Sequence, residues 1–425
     1  MPSAIEGSIR APPSKSFSHR AIVLASLAEG NSVILNPLFS RDTDATVRVM
    51  RMFGAVIEKK DHNRYEIDGA VDPKTPNEVL DVANSGTTIR FATSICALTP
   101  RGTCILTGDQ SIRRRPMGPL LDSLKSLGVD CWSEQENGCP PIGVRGGGLR
   151  GGEASVDSSS SSQFLSSLLI SCPKAAHNSS IRVEKELVSK PYVDATIWMM
   201  NIFNVKVDRD GYRAFSIRGE QSYKKARVTI PGDPGSASFF MVAAMLAGSS
   251  IKISGIDSEL PQADLSFLEI ARELGAEVSI SNGTISLTAP EKLHGGSFDL
   301  KDSPDLLPPL AVAALRADSP IEITGIEHTR IKESDRISVL STELSKVGFK
   351  VEEGPDYLRI EPTMEPKSVV LNAHNDHRLF MAFCALGLSL PKGLLIEGLE
   401  SVDVSYPTFL DDLSSLGAKI EVENH

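Results

Sequence analysis

The sequence predicts an α/β fold of two lobes, built from six copies of one helix–strand unit with three copies in each lobe. Two patterns predict it, and each occurs six times: a helix end followed by a glycine and a strand, and an apolar helix followed by a short strand. Repetition at a fixed period is the signature of stacked structural units. The length of 425 residues also suits two domains.

The first pattern ends a helix at Gly or Asn and continues as a strand, as in DSLKSLGVDCW. Consecutive copies lie roughly 70 residues apart, by subtraction of their positions. Gly or Asn at this place fits a left-handed residue that terminates a helix. The six positions are Gly54, Gly128, Asn204, Gly275, Gly348 and Gly417, and a strand is predicted after each, including AKIEVE after the last.

The second pattern is an Ala- or Leu-rich helix that precedes a short strand. These helices are apolar nearly all round, which predicts that each is buried on every side. The helices are AIVLASLA, FATSICAL, FLSSLLIS, FFMVAAMLA, LAVAALRA and FMAFCALGL, and the strands are SVILNP, TCILTG, SIRVEK, SIKISG, PIEITG and LLIEGL.

The chain is predicted to cross between the lobes twice, near Pro12–Pro13 and near Lys224–Ile230. The segment SYKKARVTIPGDPG carries the turn residues of such a crossing. The predicted lobes are therefore residues 14–226, and residues 1–13 together with 227–425, with the active site in the cleft between them.

Composition narrows the function classes. The net charge of −10 argues against nonspecific binding to nucleic acid or to an anionic membrane. The first residues lack the apolar region of a secretory signal, and the longest apolar stretch is about half of a membrane span. The six cysteines show no CxxC spacing, which favours reduced thiols over a metal cage. We therefore expect a cytoplasmic protein without metal, and a monomer.

Each predicted buried helix begins with a polar cluster, and these clusters predict an anion site. Helix N-termini expose unpaired N–H groups, but each contributes only about 0.3–1 kcal/mol when exposed. Charge-assisted hydrogen bonds contribute about 1.5–3 kcal/mol each, so basic side chains are needed as well. The clusters are PPSKSFSHR, NSGTTIR, SSSSSQ, PGDPGSAS, SPDLLPP and NDHR, and the basic residues near them or in the turns are Lys15, Arg20, Arg90, Arg115, Lys332, Arg336 and Arg378.

A simpler interpretation exists for each cluster by itself, because Ser, Thr, Asn and Asp at helix starts are ordinary caps. The run RRR at 113–115 is typical of a solvated face. The recurrence of basic groups at matching places in the repeat is what favours the anion site.

Seven motifs in order along nearly the whole chain resemble the 5-enolpyruvylshikimate-3-phosphate synthase family. They are PPSKSFSHRA, NSGTTIR, RRRPM, SSQFLSSLL, SKPYVDAT, RIKESDRI and NDHR. The resemblance implies a two-lobed inside-out α/β barrel. It also implies transfer of the enolpyruvyl group of phosphoenolpyruvate to the 5-hydroxyl of shikimate 3-phosphate, in the shikimate pathway, with no metal or organic cofactor.

The resemblance also implies site residues at matching positions. Lys15 would contact both substrates. The shikimate 3-phosphate residues would be Ser16, Arg20, Ser161, Ser162, Gln163, Ser189, Tyr192, Asp305, His328 and Lys332. The phosphoenolpyruvate residues would be Asn84, Gly86, Arg115, Gln163, Arg336 and Arg378, with the last two arginines taking the carboxylate.

The resemblance assigns the catalytic base to Asp305 and the acid to Glu333, with Lys15 as a supporting proton donor. An acid and a base at different reaction centres need different protonation states, which a closed cleft can provide. The alternatives are that Asp305 is a helix cap and that Glu333 is a surface partner of Arg336.

Two positions depart from the family pattern. Val404 stands where many members carry a lysine near an aromatic–Pro pair, so phosphoenolpyruvate would lack one cationic ligand. His328 stands where some members have an amide. These departures affect individual contacts and not the reaction class.

Three other functions fit the sequence less well. The related transferase acting on UDP-N-acetylglucosamine typically has a Lys-Asn pair and a loop cysteine, whereas Lys15 precedes Ser16 and the loop from Gly108 to Leu121 has no cysteine. An RNA 3′-phosphate cyclase is disfavoured by the acidic chain and few aromatic residues. A noncatalytic binding protein for phosphorylated metabolites would not need Asp305, Lys332 and Glu333 together.

Overall fold

The computed structural model describes residues 5–61 and 63–423, and the chain divides into two compact units. One unit is Pro13–Ile230, and the other is Pro231–His425 together with Met1–Pro12. Helices and strands alternate through both units, which confirms the predicted α/β class. No described helix is both long enough and apolar enough to cross a membrane.

The helices and strands follow the predicted repeat. The α-helices are α1 (Lys15–Ser26), α2 (Arg41–Met52), α3 (Gly86–Cys96), α4 (Gly118–Ser126), α5 (Gln163–Ser171), α6 (Lys190–Ile202), α7 (Pro234–Ala247), α8 (Phe267–Glu273), α9 (Leu307–Ala313), α10 (Arg336–Val347), α11 (His377–Leu388) and α12 (Phe409–Ser415). The strands are β1 (Gly7–Arg10), β2 (Asn31–Leu35), β3 (Val56–Lys60), β4 (Arg64–Asp68), β5 (Leu80–Asp81), β6 (Thr103–Thr107), β7 (Cys131–Ser133), β8 (Ile142–Arg145), β9 (Gly152–Val156), β10 (Ser179–Val183), β11 (Asp208–Asp210), β12 (Ala214–Ile217), β13 (Arg227–Thr229), β14 (Ser250–Ser254), β15 (Glu277–Ser281), β16 (Thr284–Thr288), β17 (Gly296–Asp299), β18 (Ile321–Thr324), β19 (Lys350–Glu353), β20 (Tyr357–Glu361), β21 (Val370–Asn372) and β22 (Leu395–Glu397).

Five of the six copies share one sheet topology. In the sheet β5-β6-β8-β7, β5 is parallel to β6 across α3, and β6 and β7 both pair antiparallel with β8. A parallel pair needs a crossover connection, and the apolar helix supplies it here and in the pairs β9-β10, β17-β18 and β21-β22. The sheets of the same order are β13-β2-β4-β3, β9-β10-β12-β11, β1-β14-β16-β15 and β17-β18-β20-β19.

For two strands, the parallel partner is not the strand that comes after the next helix along the chain. β1 precedes α1 but pairs with β14, while β13 precedes α7 but pairs with β2. Residues 227–229 therefore lie in the Pro13–Ile230 unit, whereas the boundary predicted at residue 226 places them in the other lobe.

The sixth copy has a two-stranded sheet, β21-β22, and the prediction of a strand after Gly417 is wrong for the described residues. In the other five copies the third strand pairs with a fourth strand. Within the described part of the chain no fourth strand follows α12, so the segment after Gly417 has no neighbouring strand with which to form a sheet.

The predicted left-handed helix ends are confirmed at all six positions. The φ angles are 106° at Gly54, 90° at Gly128, 63° at Asn204, 96° at Gly275, 111° at Gly348 and 99° at Gly417. Side chains other than those of Gly and Asn rarely adopt this conformation.

The six apolar helices form the cores of the two units. In one unit α1 and α5 both contact α3, and in the other α7, α9 and α11 contact one another. All of α7 except Ala247 is buried, as an all-round apolar helix should be. A helix that is enclosed along its length presents functional groups only at its ends.

Candidate functional site

In the Pro13–Ile230 unit, Arg20 contacts two other predicted site residues, Ser16 and Tyr192, and also Thr196. Its Nη1 donates to the Ser16 carbonyl at 2.9 Å, its Nη2 to the Tyr192 carbonyl at 3.0 Å, and its Nε to Thr196 Oγ1 at 2.8 Å. The side chain is 2% exposed, and burial lowers the pKa of its guanidinium to about 10. No carboxylate among the described residues forms an ion pair with it. A buried cation that contacts only neutral oxygens suits an anionic ligand.

Lys15, at the start of α1, is held by a carboxylate that the sequence analysis did not select. Its Nζ lies 2.9 Å from Asp42 Oδ2, and His19 Nε2 lies 3.5 Å from the same oxygen. The other ring nitrogen of His19 is 2.6 Å from Thr46 Oγ1. Burial lowers the pKa of His19, which keeps the ring neutral. The ammonium of Lys15 is thus fixed by groups inside the unit.

Gly86 lies against the predicted phosphate-binding arginine. A Cβ built on Gly86 would be 2.4 Å from Arg115 Nη1 and 3.5 Å from Arg90 Nη1. Arg90 Nη1 donates to Gln163 Oε1 at 2.6 Å. The starts of α3 and α5 therefore meet, as predicted for the helix-start clusters. Bulk at Gly86 would therefore press on Arg115.

The remaining predicted residues of this unit also lie at helix starts. Ser162 precedes α5 and Ser189 precedes α6, and neither side chain caps its helix. Ser161 Oγ accepts a bond from the Gln163 N–H at 3.3 Å. Asn84 donates to Asp109 Oδ2 at 2.7 Å.

Ser189 has φ 55° and ψ 43°, a left-handed conformation that is unfavourable for serine. Strain of this kind is found at functional sites. The start of α1 resembles that of α6, because the Ser14 hydroxyl makes no cap. By contrast, Ser85 caps α3 and Asp233 caps α7, so ordinary capping explains only some of the polar clusters.

In the other unit, Arg336 is the centre of a buried ion network. Its Nε lies 2.8 Å from Asp376 Oδ2, its Nη1 2.8 Å from Asp305 Oδ1, and its Nη2 2.9 Å from Glu333 Oε2. Arg336 is 1% exposed. Burial alone would lower the pKa of Arg336, but the charges of these acids raise it above its usual range. The predicted base and acid thus share one guanidinium.

Asp305 also contacts the second predicted carboxylate ligand. Arg378 Nη2 lies 2.6 Å from Asp305 Oδ2, so one carboxylate bridges the two arginines. Asp305 lies in the short turn Pro304–Leu306, and no side-chain cap is made there. Glu333 has an 11% exposed side chain, so it is a partner of Arg336 but not a surface one.

His328 lies near this network. It is buried, and its Nε2 has no hydrogen-bond partner among the described residues. Burial, and then the positive charge of Lys332, lower the pKa of His328 to about 3. A neutral imidazole with an available nitrogen could accept or donate a bond to a substrate hydroxyl.

Val404, at the position of the family lysine, is buried at the end of the turn Leu399–Val404. The described residues also contain no group of three or more His, Cys, Asp or Glu placed to hold a metal ion.

Sequence reasoning missed the partners that orient the basic residues. Asp376 caps α11 and binds Arg336, Asp42 binds Lys15, and Thr196 binds Arg20. Only Asp376 had a local signal, since Asp before an apolar helix is a typical cap. Chemically, the two groups of residues provide buried cations, which suit anionic ligands, and two carboxylates that contact one guanidinium.

Comparisons with known proteins agree with this chemistry. A sequence model of the family "EPSP synthase (3-phosphoshikimate 1-carboxyvinyltransferase)" matches residues 1–413. A 3-phosphoshikimate 1-carboxyvinyltransferase of Methanocaldococcus jannaschii is 40% identical over 420 residues, covering 99% of this chain and 97% of that protein. One of Nitrosopumilus maritimus is 43% identical over 422 residues, covering 99% and 98%.

A solved structure of an EPSP synthase from Acinetobacter baumannii has a TM-score of 0.83 and 27% identity, covering 100% of this chain and 98% of that one. The fold and these relatives define a transferase of the carboxyvinyl type. The chain belongs to the EPSP synthase family, whose name denotes the enolpyruvyl transfer of the shikimate pathway.

Proposed function

We propose that this chain transfers the enolpyruvyl group of phosphoenolpyruvate to the 5-hydroxyl of shikimate 3-phosphate and releases phosphate. The observation that carries the proposal is the cluster of Asp305, Glu333, Arg336 and Arg378, in which two carboxylates contact a pair of arginines. A protein that only bound these anions would gain nothing from two carboxylates placed against its arginines, because they oppose anion binding.

In the proposed addition step, Asp305 takes the proton of the 5-hydroxyl and the oxygen bonds to the central carbon of phosphoenolpyruvate. Glu333 gives a proton to the methylene carbon, which becomes a methyl group. In the elimination step, the bond between the central carbon and the phosphate oxygen breaks. The methyl group returns a proton to the Glu333 carboxylate and the double bond forms again, while phosphate leaves with the proton that Asp305 had taken.

In this proposal, residues of the Pro13–Ile230 unit bind shikimate 3-phosphate and the phosphate group of phosphoenolpyruvate. Arg20, Ser16 and the starts of α5 and α6 hold shikimate 3-phosphate, because Arg20 is buried without an acidic partner among the described residues. Lys15, Arg115 and the α3 start hold the phosphate of phosphoenolpyruvate, and Lys15 also contacts shikimate 3-phosphate. The proposal requires residues of both units to act on one pair of substrates, and it includes a monomer located in the cytoplasm.

The test is a steady-state assay of phosphate release from purified protein. Phosphate released only when phosphoenolpyruvate and shikimate 3-phosphate are both present, with a product heavier than shikimate 3-phosphate by one carboxyvinyl group, is the expected result. UDP-N-acetylglucosamine in place of shikimate 3-phosphate is the matched control. Turnover with the nucleotide sugar and none with shikimate 3-phosphate would overturn the proposal.

A further inference from the structure

We infer that the Asp305 carboxylate binds Arg336 and Arg378 at the place that the carboxylate of phosphoenolpyruvate takes in the complex. Binding of phosphoenolpyruvate would then displace Asp305 from the arginines and make it available as the base. The inference rests on the proposed function. It assigns to Asp305 a second role, as an internal competitor that couples substrate binding to the availability of the base.

The geometry of the ion pairs supports this role. One oxygen of Asp305 lies 2.8 Å from Arg336 Nη1 and the other lies 2.6 Å from Arg378 Nη2. Two oxygens of one carboxylate therefore bridge two guanidinium groups. The carboxylate of phosphoenolpyruvate has the same shape and charge, and it can form the same two charge-assisted bonds.

The neighbouring acid Asp376 is bound differently and is not suited to leave. Its Oδ2 accepts from Arg336 Nε at 2.8 Å and from Ser334 Oγ at 3.1 Å, and its Oδ1 accepts from the Arg378 backbone N–H at 3.0 Å. It caps α11 and is fully buried. Asp305 has a 19% exposed side chain and lies in a three-residue turn. The exchange should therefore involve Asp305, while Asp376 is a positioning residue that keeps Arg336 in place.

The exchange has two consequences. The arginines keep a carboxylate partner throughout, so no buried cation is left unpaired during binding. An internal competitor also weakens the apparent affinity, because only the fraction of molecules with the arginines accessible can bind. Removing the charge of Asp305 should therefore strengthen binding of a carboxylate ligand while it removes turnover. If Asp305 served only as the base, removing its charge would abolish turnover without strengthening binding of the carboxylate ligand.

The test compares two unreactive probes in the presence of shikimate 3-phosphate, by titration calorimetry. Phosphoglycolate carries a phosphate and a carboxylate, and ethyl phosphate carries the phosphate alone. For Asp305→Asn we expect the dissociation constant of phosphoglycolate to fall about tenfold relative to the original protein. The dissociation constant of ethyl phosphate should not change, because binding of the phosphate group does not depend on Arg336 and Arg378.

Asp376→Asn is the matched control, since it is the same substitution against the same guanidinium. It should weaken phosphoglycolate binding, because Arg336 loses its anchor. Thermal unfolding, with and without probe, establishes that both variants are folded. Phosphoglycolate binding by folded Asp305→Asn that is no tighter than in the original protein, or tighter binding in both variants, would overturn the inference. Failure of the proposed function is a separate result, namely no phosphate release by the original protein.

Discussion

The Nζ atom of Lys15 lies 2.9 Å from Oδ2 of Asp42, so the first residue of α1 is paired with the first turn of α2. Burial alone would raise the pKa of Asp42, but Lys15 and the adjacent His19 hold it well below its usual range. The ammonium that we propose to contact both substrates is therefore oriented before any substrate binds. Such preorganisation reduces the entropy that is lost on binding.

Asp42→Asn should remove this orientation and destabilise the protein. Loss of one partner of a buried ion pair costs about 3–5 kcal/mol, and the Michaelis constants for both substrates should rise. Because the folded pKa of Asp42 is lowered, its stabilisation is present above the unfolded pKa of about 3.9 and is lost as the pH falls below it. The difference in unfolding free energy between the two proteins should be largest near neutral pH and should shrink in acid. Urea unfolding over a pH series measures it.

Asp44→Asn is the control for this prediction, because Asp44 lies on the same turn of α2 but is exposed. It should change neither the Michaelis constants nor the stability by a comparable amount. An Asp42→Asn protein with unaltered Michaelis constants would show that Asp42 does not orient Lys15 for binding.

Gly86→Ala should weaken phosphoenolpyruvate binding through Arg115. The new Cβ would lie 2.4 Å from Arg115 Nη1, so the guanidinium must move. Weakening one charge-assisted hydrogen bond by about 1.4 kcal/mol would raise the Michaelis constant for phosphoenolpyruvate about tenfold. The constant for shikimate 3-phosphate should change less. Steady-state kinetics with each substrate varied in turn separates the two effects.

Gly118→Ala provides the comparison for Gly86→Ala, because a Cβ at Gly118 meets nothing within 4 Å. It should leave both Michaelis constants unchanged. Equal constants for Gly86→Ala and the original protein would place the phosphate of phosphoenolpyruvate away from Arg115.

Ser189→Gly should raise the stability of the protein and weaken the binding of shikimate 3-phosphate. Ser189 is left-handed and its hydroxyl does not cap α6, so glycine should relieve strain and raise the unfolding free energy by about 0.5–1 kcal/mol. Loss of the hydroxyl should raise the Michaelis constant for shikimate 3-phosphate. Asn204→Gly is matched in conformation, with φ 63°. It should gain less stability, since Asn tolerates this region, and it should leave the kinetics unchanged. A more stable Ser189→Gly protein with normal kinetics would exclude Ser189 from the substrate site.

Local patterns explain which parts of this structure the sequence could predict. The six left-handed helix ends depend on one residue each, and the six apolar helices depend on the composition of about ten residues, so both were predictable. The proposed positions of Lys15, Arg20 and Arg336 at helix starts depend on similarly short motifs.

Long-range partners were not predictable in the same way. The pairing of β1 with β14 joins segments far apart in sequence, and nothing local to β1 distinguishes this partner from β2. Asp42 and Thr196 lie within helices and have no distinguishing local sequence pattern. Only the tertiary fold places them next to Lys15 and Arg20. The strand predicted after Gly417 failed for the same reason, because an alternating pattern forms a strand only where a partner strand is available.

The stability of the protein should fall as the pH is lowered from about 6.5, and His328 should account for part of the fall. Its folded pKa is lowered to about 3, first by burial and then by the charge of Lys332. Between about pH 6.5 and this value the unfolded chain binds a proton that the folded protein does not, so stability is lost at about 1.4 kcal/mol per pH unit. His19, with a pKa also lowered by burial, should add to the same slope. His328→Gln should therefore flatten the dependence measured by urea unfolding between pH 7 and pH 5. His177→Gln, at an exposed position, should leave it unchanged. If His328→Gln shows the full slope of the original protein, the pKa of His328 is not lowered in the folded state, and burial does not keep the ring neutral in acid.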